Sequence, residues 1–355
     1  MMKSGEFKVV EDCPSAKVGR RVVHFKSFEV EPFDYEDLRR NNPRKPLQAQ
    51  VKFRNAVLGD QCENIDVTDE KYQSDFVLRS HFSTKSYTLT QGGWFPPGFT
   101  TLDNITYLMD RCAYNDVRAY CHADGDVPIN DFVECLMHPG TRINILPLLL
   151  EGNRRKLPND YEVLQQYQEV MFNLKQKLPD ANFVPDQVGS FLSVKRILED
   201  PFCNIGREQG FLEDISPLLQ SPVGRKRRGD VLSKIRQSAD LYSVGKSSFV
   251  FLAAVSAAVC PQSLNPARDV LKIRANYGQD DIYNALSDLR CLKILSNMIA
   301  ILPDENPVFC TSDKNLALFW VGLQGRGFSH SLDEMSFTID ISETLFPNMD
   351  SDFFA

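Results

Sequence analysis

The order of elements in the last quarter of the chain most constrains the fold. A long amphipathic helix is predicted over 280–302, because apolar residues recur there every three or four positions. A Pro-Asp turn follows, and the apolar run PVFCT at 307–311 then predicts a buried strand. The segment KNLALFWVGL at 314–323 predicts one more helix. Strand, acidic residue and helix in this order indicate an α/β crossover unit, whose ligand side is the carboxyl end of the strand, at Asp313.

Earlier segments repeat this alternation of short apolar runs and helices. ITYLM at 105–109 predicts a buried strand that ends at Asp110. The segment INILPLLLEG at 143–152 is ambiguous, although LPLLLE has the pattern of a buried helix face. The pattern of 159–177 predicts an amphipathic helix. The apolar run at 248–260 predicts a core helix, because it is too short to span a bilayer.

These patterns predict a chain of two parts. Residues 1–98 contain short stretches that alternate polar and apolar residues, which predicts a small β-rich N-terminal module. Residues 99–355 are predicted to form a three-layer α/β/α domain with a mainly parallel sheet. A helical insertion at about 155–265 extends this domain and includes a basic run at 224–237.

Composition limits the classes of function. The chain has 355 residues, and 40 basic against 47 acidic residues give a formal charge of −7. This balance argues against a protein that coats nucleic acid nonspecifically, because such binding rests on phosphate neutralisation by Lys and Arg. Nine cysteines without a CxxC pair, and no signal peptide at the first residues, predict reduced thiols and a cytoplasmic location. No membrane association is expected.

Four acidic residues occupy positions where a carboxylate is costly unless a cation neutralises it. Asp110 and Asp313 each follow an apolar run, whereas Glu151 and Asp288 lie on or beside predicted helices. Burying an unpaired carboxylate is unfavourable, and a divalent metal is a common neutraliser. Oxygen ligands suit Mg²⁺ or Mn²⁺. Because metal ions held in this way catalyse phosphodiester cleavage without a serine or histidine nucleophile, the acids predict a metal-dependent nuclease.

Each acid taken alone also has an ordinary structural interpretation. An Asp after a strand often caps the following helix by accepting backbone N–H groups, which applies to Asp313. Asp288 on an amphipathic helix is equally well interpreted as a solvated surface residue, and Glu151 before Gly-Asn as the end of a helix. It is the ordered combination of four acids that favours a shared site.

The segments around these acids resemble those of PIN-domain nucleases. TYLMDRCAYNDV resembles the first strand of that family, LLLEGNRR the segment that supplies a Glu, and YNALSDLRCLKIL…PVFCTSDKNLALFW the last two acidic motifs. The resemblance implies that Asp110, Glu151, Asp288 and Asp313 bind Mg²⁺ or Mn²⁺ and are catalytic. It also implies a PIN-like domain that acts as an endoribonuclease on single-stranded or structured RNA. By the same analogy, a toxin or defence role with an inhibitor or partner protein is expected.

The chain departs from the family pattern in three respects. A long interval at 152–287 separates the second acid from the third, whereas compact members use far fewer residues. Cys112 stands where a polar residue such as Asn is frequent. Asp103 is a rival first ligand, and Asp116 and Asp281 are candidates for auxiliary acids.

Two other interpretations stay open. One is a non-catalytic protein-interaction module on a degenerate PIN-like fold, which binds through the N-terminal module and the long helices. The other is cleavage of DNA flaps or single strands by the same acids, since these residues grip phosphate and carry no signature for the 2′-hydroxyl. In either nuclease, Arg290 and Lys314 are predicted to offset phosphate charge.

Overall fold

The computed structural model describes most of the chain in blocks separated by short gaps. The described residues are 2–3, 7–12, 20–42, 45, 47–60, 62–63, 72–80, 86–99, 105–120, 131–152, 156, 158–187, 189–190, 192, 205–261, 265–330, 335–339, 343–349 and 353–354. Within these blocks, two sheets, a terminal hairpin and the helices share one hydrophobic core.

The N-terminal part contains the strands that the alternating pattern predicted, and they form an antiparallel sheet. Its strands are β1 (Met2–Lys3), β2 (Phe7–Asp12), β3 (Arg20–Val30), β4 (Leu47–Leu58) and β5 (Tyr72–Ser80). They run in the order β1-β3-β4-β5, with β2 also paired to β3. A short helix, α1 (Tyr35–Arg40), lies between β3 and β4 and is capped by the side chain of Asp34.

A second sheet of six strands is mainly parallel, which confirms the predicted α/β class. Its strands are β6 (Tyr87–Thr90), β7 (Gly93–Phe95), β8 (Thr106–Met109), β9 (Arg142–Asn144), β10 (Asn182–Val184) and β11 (Pro307–Thr311). They lie in the order β10-β9-β8-β11-β6-β7, parallel from β10 to β11 and antiparallel beyond it. Thus β6 and β7, which precede residue 98, belong to the central sheet.

The helices follow the predicted order. They are α2 (Arg111–Ala119), α3 (Asp131–Leu136), α4 (Leu146–Glu151), α5 (Asp160–Lys177), α6 (Ile205–Leu219), α7 (Arg225–Leu241), α8 (Phe249–Val259), α9 (Pro266–Val270), α10 (Gln279–Ile301) and α11 (Lys314–Leu323). Capping residues explain several starts. Asn159 and Glu162 form a capping box on α5, and Ser248 caps α8. Every residue of α8 is buried, as its apolar run predicted, and no helix within the described blocks is both long and apolar enough to cross a bilayer.

The connections place a topological switch between β8 and β11. From β8 the chain passes through α2 and α3 to β9, and then through α4 and α5 to β10, always towards the same edge. After α6 to α10 it returns to the opposite side of β8 as β11. In open α/β sheets, ligands bind outside the carboxyl ends of the strands at the point where the strand order reverses. The fold therefore marks the carboxyl ends of β8 and β11 as the place to look for a site.

The C-terminal hairpin covers the ends of α8 and α11. Its strands are β12 (Arg326–His330) and β13 (Met335–Thr338), so the final strand predicted over 333–342 is confirmed within the described residues. The ring of Phe328 stacks on Trp320 at 6.0 Å, and the ring of Phe337 stacks on Phe249 at 5.5 Å, between ring centroids. These aromatic contacts attach the hairpin to the two helices.

A buried asparagine joins the end of α8 to the start of α9. The Nδ2 group of Asn265 donates to the carbonyl oxygens of Ser256, Ala257 and Cys260, at 3.4, 3.1 and 3.1 Å. Its Oδ1 atom accepts the backbone N–H of Arg268 and caps α9. Because buried carbonyls need donors, this side chain fixes the short helix that precedes Lys272.

Asn265→Ala is expected to lower the free energy of unfolding by about 2–3 kcal/mol, because it removes a helix cap and a side-chain donor to buried carbonyls. The matched control is Asn159→Ala, which removes an exposed helix cap and is expected to lose only about 1 kcal/mol. Urea titration followed by circular dichroism measures both values. Equal losses in the two variants would contradict a joining role for Asn265.

Candidate active site

Two of the four predicted acids leave neighbouring parallel strands at the same edge of the sheet. Asp110 directly follows β8 and Asp313 lies two residues beyond β11, whose register pairs Met109 with Cys310. Both acids cap the next helix. An oxygen of Asp110 accepts the N–H of Ala113 at 2.7 Å, and Oδ1 of Asp313 accepts two backbone N–H groups of α11 at 2.8 and 3.1 Å. The capping interpretation is therefore correct, and it fixes both carboxylates at the switch point.

Glu151 is the last residue of α4, and side chains from other helices hold the end of that helix. Arg290 donates to the carbonyl of Leu150 at 3.2 Å, and Arg111 donates to the carbonyl of Gly152 at 2.9 Å. The hydroxyl of Tyr283 donates to the carbonyl of Glu151 itself. Three consecutive carbonyls are thus bound by α2 and α10, which anchors the backbone that carries this carboxylate.

Asp288 on α10 completes the group, and the electrostatics show that the four acids are near one another. Burial and, after it, the negative charges of all four acids together raise the pKa of the Cys112 thiol to about 12. The charges of Glu151 and Asp288 act on Asp110, and the charge of Asp313 acts on Asp288. The structure therefore gathers around the start of α2 the acids that the sequence singled out.

The carboxylates hold more negative charge than the described residues around them neutralise. Burial raises the pKa of Asp110 to about 7, even though the N–H of Ala113 and the hydroxyl of Thr311 stabilise its ionised form. Burial also raises the pKa of Glu151, although the positive charge of Arg111 opposes this. For Asp288, burial raises the pKa to about 6 in spite of a lysine beside it. Acids with raised pKa values lack charges that stabilise their ionised forms, and a bound cation would supply such a charge.

The lysine beside Asp288 is Lys272, which bridges two of the acids. Its Nζ atom lies 2.8 Å from Oδ2 of Asp288 and 3.4 Å from Oδ2 of Asp313. The three side chains are 29–30% exposed, so water reaches this part of the group. Lys272 has a φ of +56° at the C-terminal end of α9, a left-handed conformation that costs a non-glycine residue about 1 kcal/mol.

A complete metal-binding group is absent from the described residues, where no three His, Cys, Asp or Glu side chains are arranged to hold an ion. Two observations explain this. One oxygen each of Asp110 and Asp313 is used to cap a helix, and Lys272 fills the space between Asp288 and Asp313. The chemistry of the donors still fits a hard divalent cation, because all four offer carboxylate oxygen. The predicted metal site stays a prediction.

The auxiliary acids have separate structural partners. Asp116 accepts the hydroxyl of Ser312 at 3.3 Å, which ties α2 to the loop after β11. Asp281 is buried at the start of α10, where it forms an ion pair with Arg274 at 2.6 Å. It also accepts the backbone N–H of Gly278. The rival first ligand, Asp103, lies outside the described residues.

The two cations expected to offset phosphate charge also contact backbone carbonyls. Lys314 reaches away from the acids and donates to the carbonyls of Arg39 and Asn41, at 3.0 and 2.7 Å, at the end of α1. Arg290 donates to the carbonyl of Leu150, near the end of α4. Within the part of the chain that the structure describes, the cation in contact with the acids is Lys272. The sequence did not single it out, because nothing in DVLKIRAN distinguishes a left-handed lysine from a helix that continues.

Comparison with known proteins adds no family assignment. No family model, no curated protein and no solved structure matches this chain. Membership of the PIN-domain family therefore stays a proposal that rests on the four motifs and on the geometry of the acids.

Asp110→Asn is expected to change how stability depends on pH. The pKa of Asp110 is 3.8 in the unfolded reference and about 7 in the folded protein. The folded protein therefore binds this proton more tightly, and its stability falls as pH rises from about 4 to 7. Asparagine does not titrate, so the variant should lack this part of the fall in the free energy of unfolding. In EDTA, the difference in this free energy, variant minus wild type, should be about 2–4 kcal/mol larger at pH 8 than at pH 4.

The control for this measurement is Asp230→Asn, which removes an exposed carboxylate on α7. Urea titrations at pH 4, 6 and 8 give the free energy of unfolding of each protein. The control should follow the wild type at every pH. A difference between Asp110→Asn and the wild type that is the same at all three pH values would show that Asp110 has no raised pKa.

Proposed function

We propose that this chain is a Mg²⁺- or Mn²⁺-dependent endoribonuclease built on a PIN-like α/β domain. The observation that carries the proposal is the position of the acids. Asp110 and Asp313 follow the two parallel strands that flank the topological switch, and Glu151 and Asp288 approach from α4 and α10. Ligand sites of open α/β sheets occur at such a point. Acids that converge there from four elements could hold metal ions, and such ions would neutralise the phosphate and stabilise its leaving oxygen.

The four acids would hold the cation. A bound Mg²⁺ or Mn²⁺ would supply positive charge to the phosphate oxygens and would make water more acidic. Because the raised pKa values of Asp110, Glu151 and Asp288 mean that protons compete for the same oxygens, uptake of a cation is favoured as pH rises through about 6 to 7.

The protein's own groups position the carboxylates. Backbone N–H groups of α2 and α11 hold Asp110 and Asp313, and the anchored carbonyls at the end of α4 hold the backbone of Glu151. These contacts are to rigid elements, which limits the motion of the oxygens that must face the substrate. The exposure of Asp288 and Asp313 leaves a phosphate access to the group.

A basic turn favours a polyanion as the substrate. Arg225, Lys226 and Arg227 are exposed in the first turn of α7, where no acidic residue lies. Gly224 gives this helix no side-chain cap. Cations at the positive end of a helix dipole are unfavourable, so a bound phosphate chain would relieve the repulsion. RNA is the polyanion that the PIN-domain resemblance implies.

A second function is a non-catalytic protein-interaction module on the same fold. The observation that favours it is Lys272, whose ammonium group already neutralises part of the charge on Asp288 and Asp313. In such a protein, the lysine would replace the metal permanently. The two functions differ in whether a divalent cation stabilises the protein, because a ligand that binds only the folded state raises its melting temperature.

Asp313→Asn is expected to reduce Mn²⁺-dependent RNA cleavage more than about 100-fold, since loss of an outer-shell partner of a metal already costs 10- to 100-fold. Its fold should persist, because asparagine also caps helices. The matched control is Asp304→Asn, an exposed acid that precedes the same strand at its opposite end. Single-turnover cleavage of labelled RNA measures both. Full activity of Asp313→Asn would refute a catalytic role for the acid group.

The basic turn of α7 generates a separate prediction about binding. Replacing Arg225, Lys226 and Arg227 by alanine should weaken RNA binding and flatten its salt dependence. If each cation neutralises one phosphate of a single strand, the slope of log K against log salt should fall by about 2. Fluorescence anisotropy with labelled RNA, between 50 and 200 mM salt, measures the slope.

The control removes the same amount of charge elsewhere. Alanine at Arg40, Lys52 and Lys175 deletes three exposed cations on α1, β4 and α5. It should leave the slope within experimental error of the wild type. Equal slopes for the two triple variants would show that net charge, rather than the turn of α7, governs RNA binding.

A further inference from the structure

We infer that Lys272 is a built-in counter-ion that occupies the cation position between Asp288 and Asp313, and that a divalent metal ion must displace its ammonium group to bind. This inference rests on the proposed function, because it describes how the same acids would take up their metal. It assigns to Lys272 a role as a positioning residue that competes with the ion.

The oxygens of Asp313 carry the first step. Oδ1 accepts the backbone N–H groups of Asn315 and Leu316, and these bonds begin α11. Only Oδ2 is left for a metal, and it lies 3.4 Å from Nζ of Lys272. An ion that uses Asp313 without breaking the cap must therefore take the oxygen that now faces the lysine.

The second step concerns Asp288. Its Oδ2 atom lies 2.8 Å from the same Nζ atom, so one ammonium group occupies the space between both carboxylates. An ammonium and a divalent ion repel strongly at contact distance, especially where water is partly excluded. The pair of acids therefore accommodates one of the two cations at a time.

The backbone of Lys272 supports a role for its side chain. The residue directly follows the C-cap of α9 and has a φ of +56°, a conformation in which glycine is the usual choice. Glycine would satisfy the turn, but it would leave Asp288 and Asp313 without their cation. A strained residue kept at a cluster of charged groups indicates that the side chain, and not the turn, explains the lysine.

Displacement is feasible because the lysine is long and reaches water. Its side chain is 30% exposed, and the four-carbon stem can move its charge into solvent without moving the backbone. In the absence of metal the ammonium lowers the repulsion between the two acids. With metal present, the same group is the competitor.

The experiment compares Mn²⁺ binding by four metal-free proteins at pH 8, with isothermal titration calorimetry. They are the wild type, Lys272→Gly, Lys272→Met and the control Arg274→Met. The glycine variant suits the left-handed backbone, and the methionine variant keeps the length of the side chain. Arg274→Met removes a nearby cation that pairs with Asp281 rather than with the candidate metal ligands.

Both Lys272 variants should bind Mn²⁺ at least about tenfold more tightly than the wild type, since a competing charge is gone. The control should match the wild type. In EDTA, Lys272→Met should have a lower melting temperature than the wild type, and Mn²⁺ should restore it. A merely structural lysine would not give this metal-dependent rescue. Adding Asp313→Asn to Lys272→Gly should abolish the gain in affinity, which locates the ion.

Each contrary result has a distinct meaning. Equal or weaker Mn²⁺ binding by both Lys272 variants overturns the competition. If, in that case, Asp313→Asn alone loses the Mn²⁺ binding of the wild type, the proposed function still stands. If none of the four proteins binds Mn²⁺, the competition and the metal-dependent function are both overturned, and Lys272 is a permanent counter-ion.

Discussion

Parallel pairing of β8 with β11 is the constraint on which the candidate site depends. The register that places Met109 beside Cys310 brings Asp110 and Asp313 to one edge of the sheet, although about two hundred residues separate them in the chain. Because each strand leads directly into a helix, the acids that end the strands also cap the helices. The backbone N–H groups at the starts of α2 and α11 therefore stabilise the fold and also hold the two carboxylates in position. A slip of one residue in this register would reverse the faces of the shifted strand and separate its acid from the other.

The charge of the site opposes the stability of the fold. Burial makes ionisation of Asp110 and Asp288 unfavourable, and the charges of neighbouring acids also raise the pKa of both. Among the described residues, the fixed cations that act on the group are Lys272, at two acids, and Arg111, near Glu151. Sites that are strained or poorly neutralised are common where a protein binds a ligand, because the ligand supplies the missing interaction. The excess of carboxylate is therefore informative about function, and not only about packing.

Local sequence signals predicted much of the fold. The strand at 307–311 and the helix at 314–323 agree with the prediction residue for residue, because a turn precedes the strand and a capping acid separates the two. The helix predicted at 159–177 begins one residue later, after its Asn159 cap. The pairing of strands was harder to predict, because the alternating pattern before residue 98 does not indicate which sheet a strand joins. Consequently, the insertion of β6 and β7 into the central sheet was not foreseen.

The sequence could identify the acids that lie at the switch point, but not the side chains that contact them. Position after an apolar run identified Asp110 and Asp313, since a carboxylate there must be capped, paired or bound. The sequence did not identify Lys272, because its contact with Asp288 depends on the left-handed turn after α9 and on how α9 and α10 pack. The spacing of apolar residues predicts whether a segment is a helix or a strand. A contact between side chains of two different elements depends on tertiary structure, which this spacing does not give.

The charge balance also bears on the choice between a nuclease and a scaffold. In a protein with no use for a cation, an amide at Asp110 or Asp288 would keep most hydrogen bonds and remove an ionisation that burial disfavours. A scaffold gains nothing from four gathered carboxylates with one lysine between two of them, and it loses stability at neutral pH. A metal-dependent enzyme needs that excess of negative charge, because the ion provides the balance only when it is bound. A lysine that can swing into water, rather than a buried arginine fork, is the counter-ion suited to be replaced.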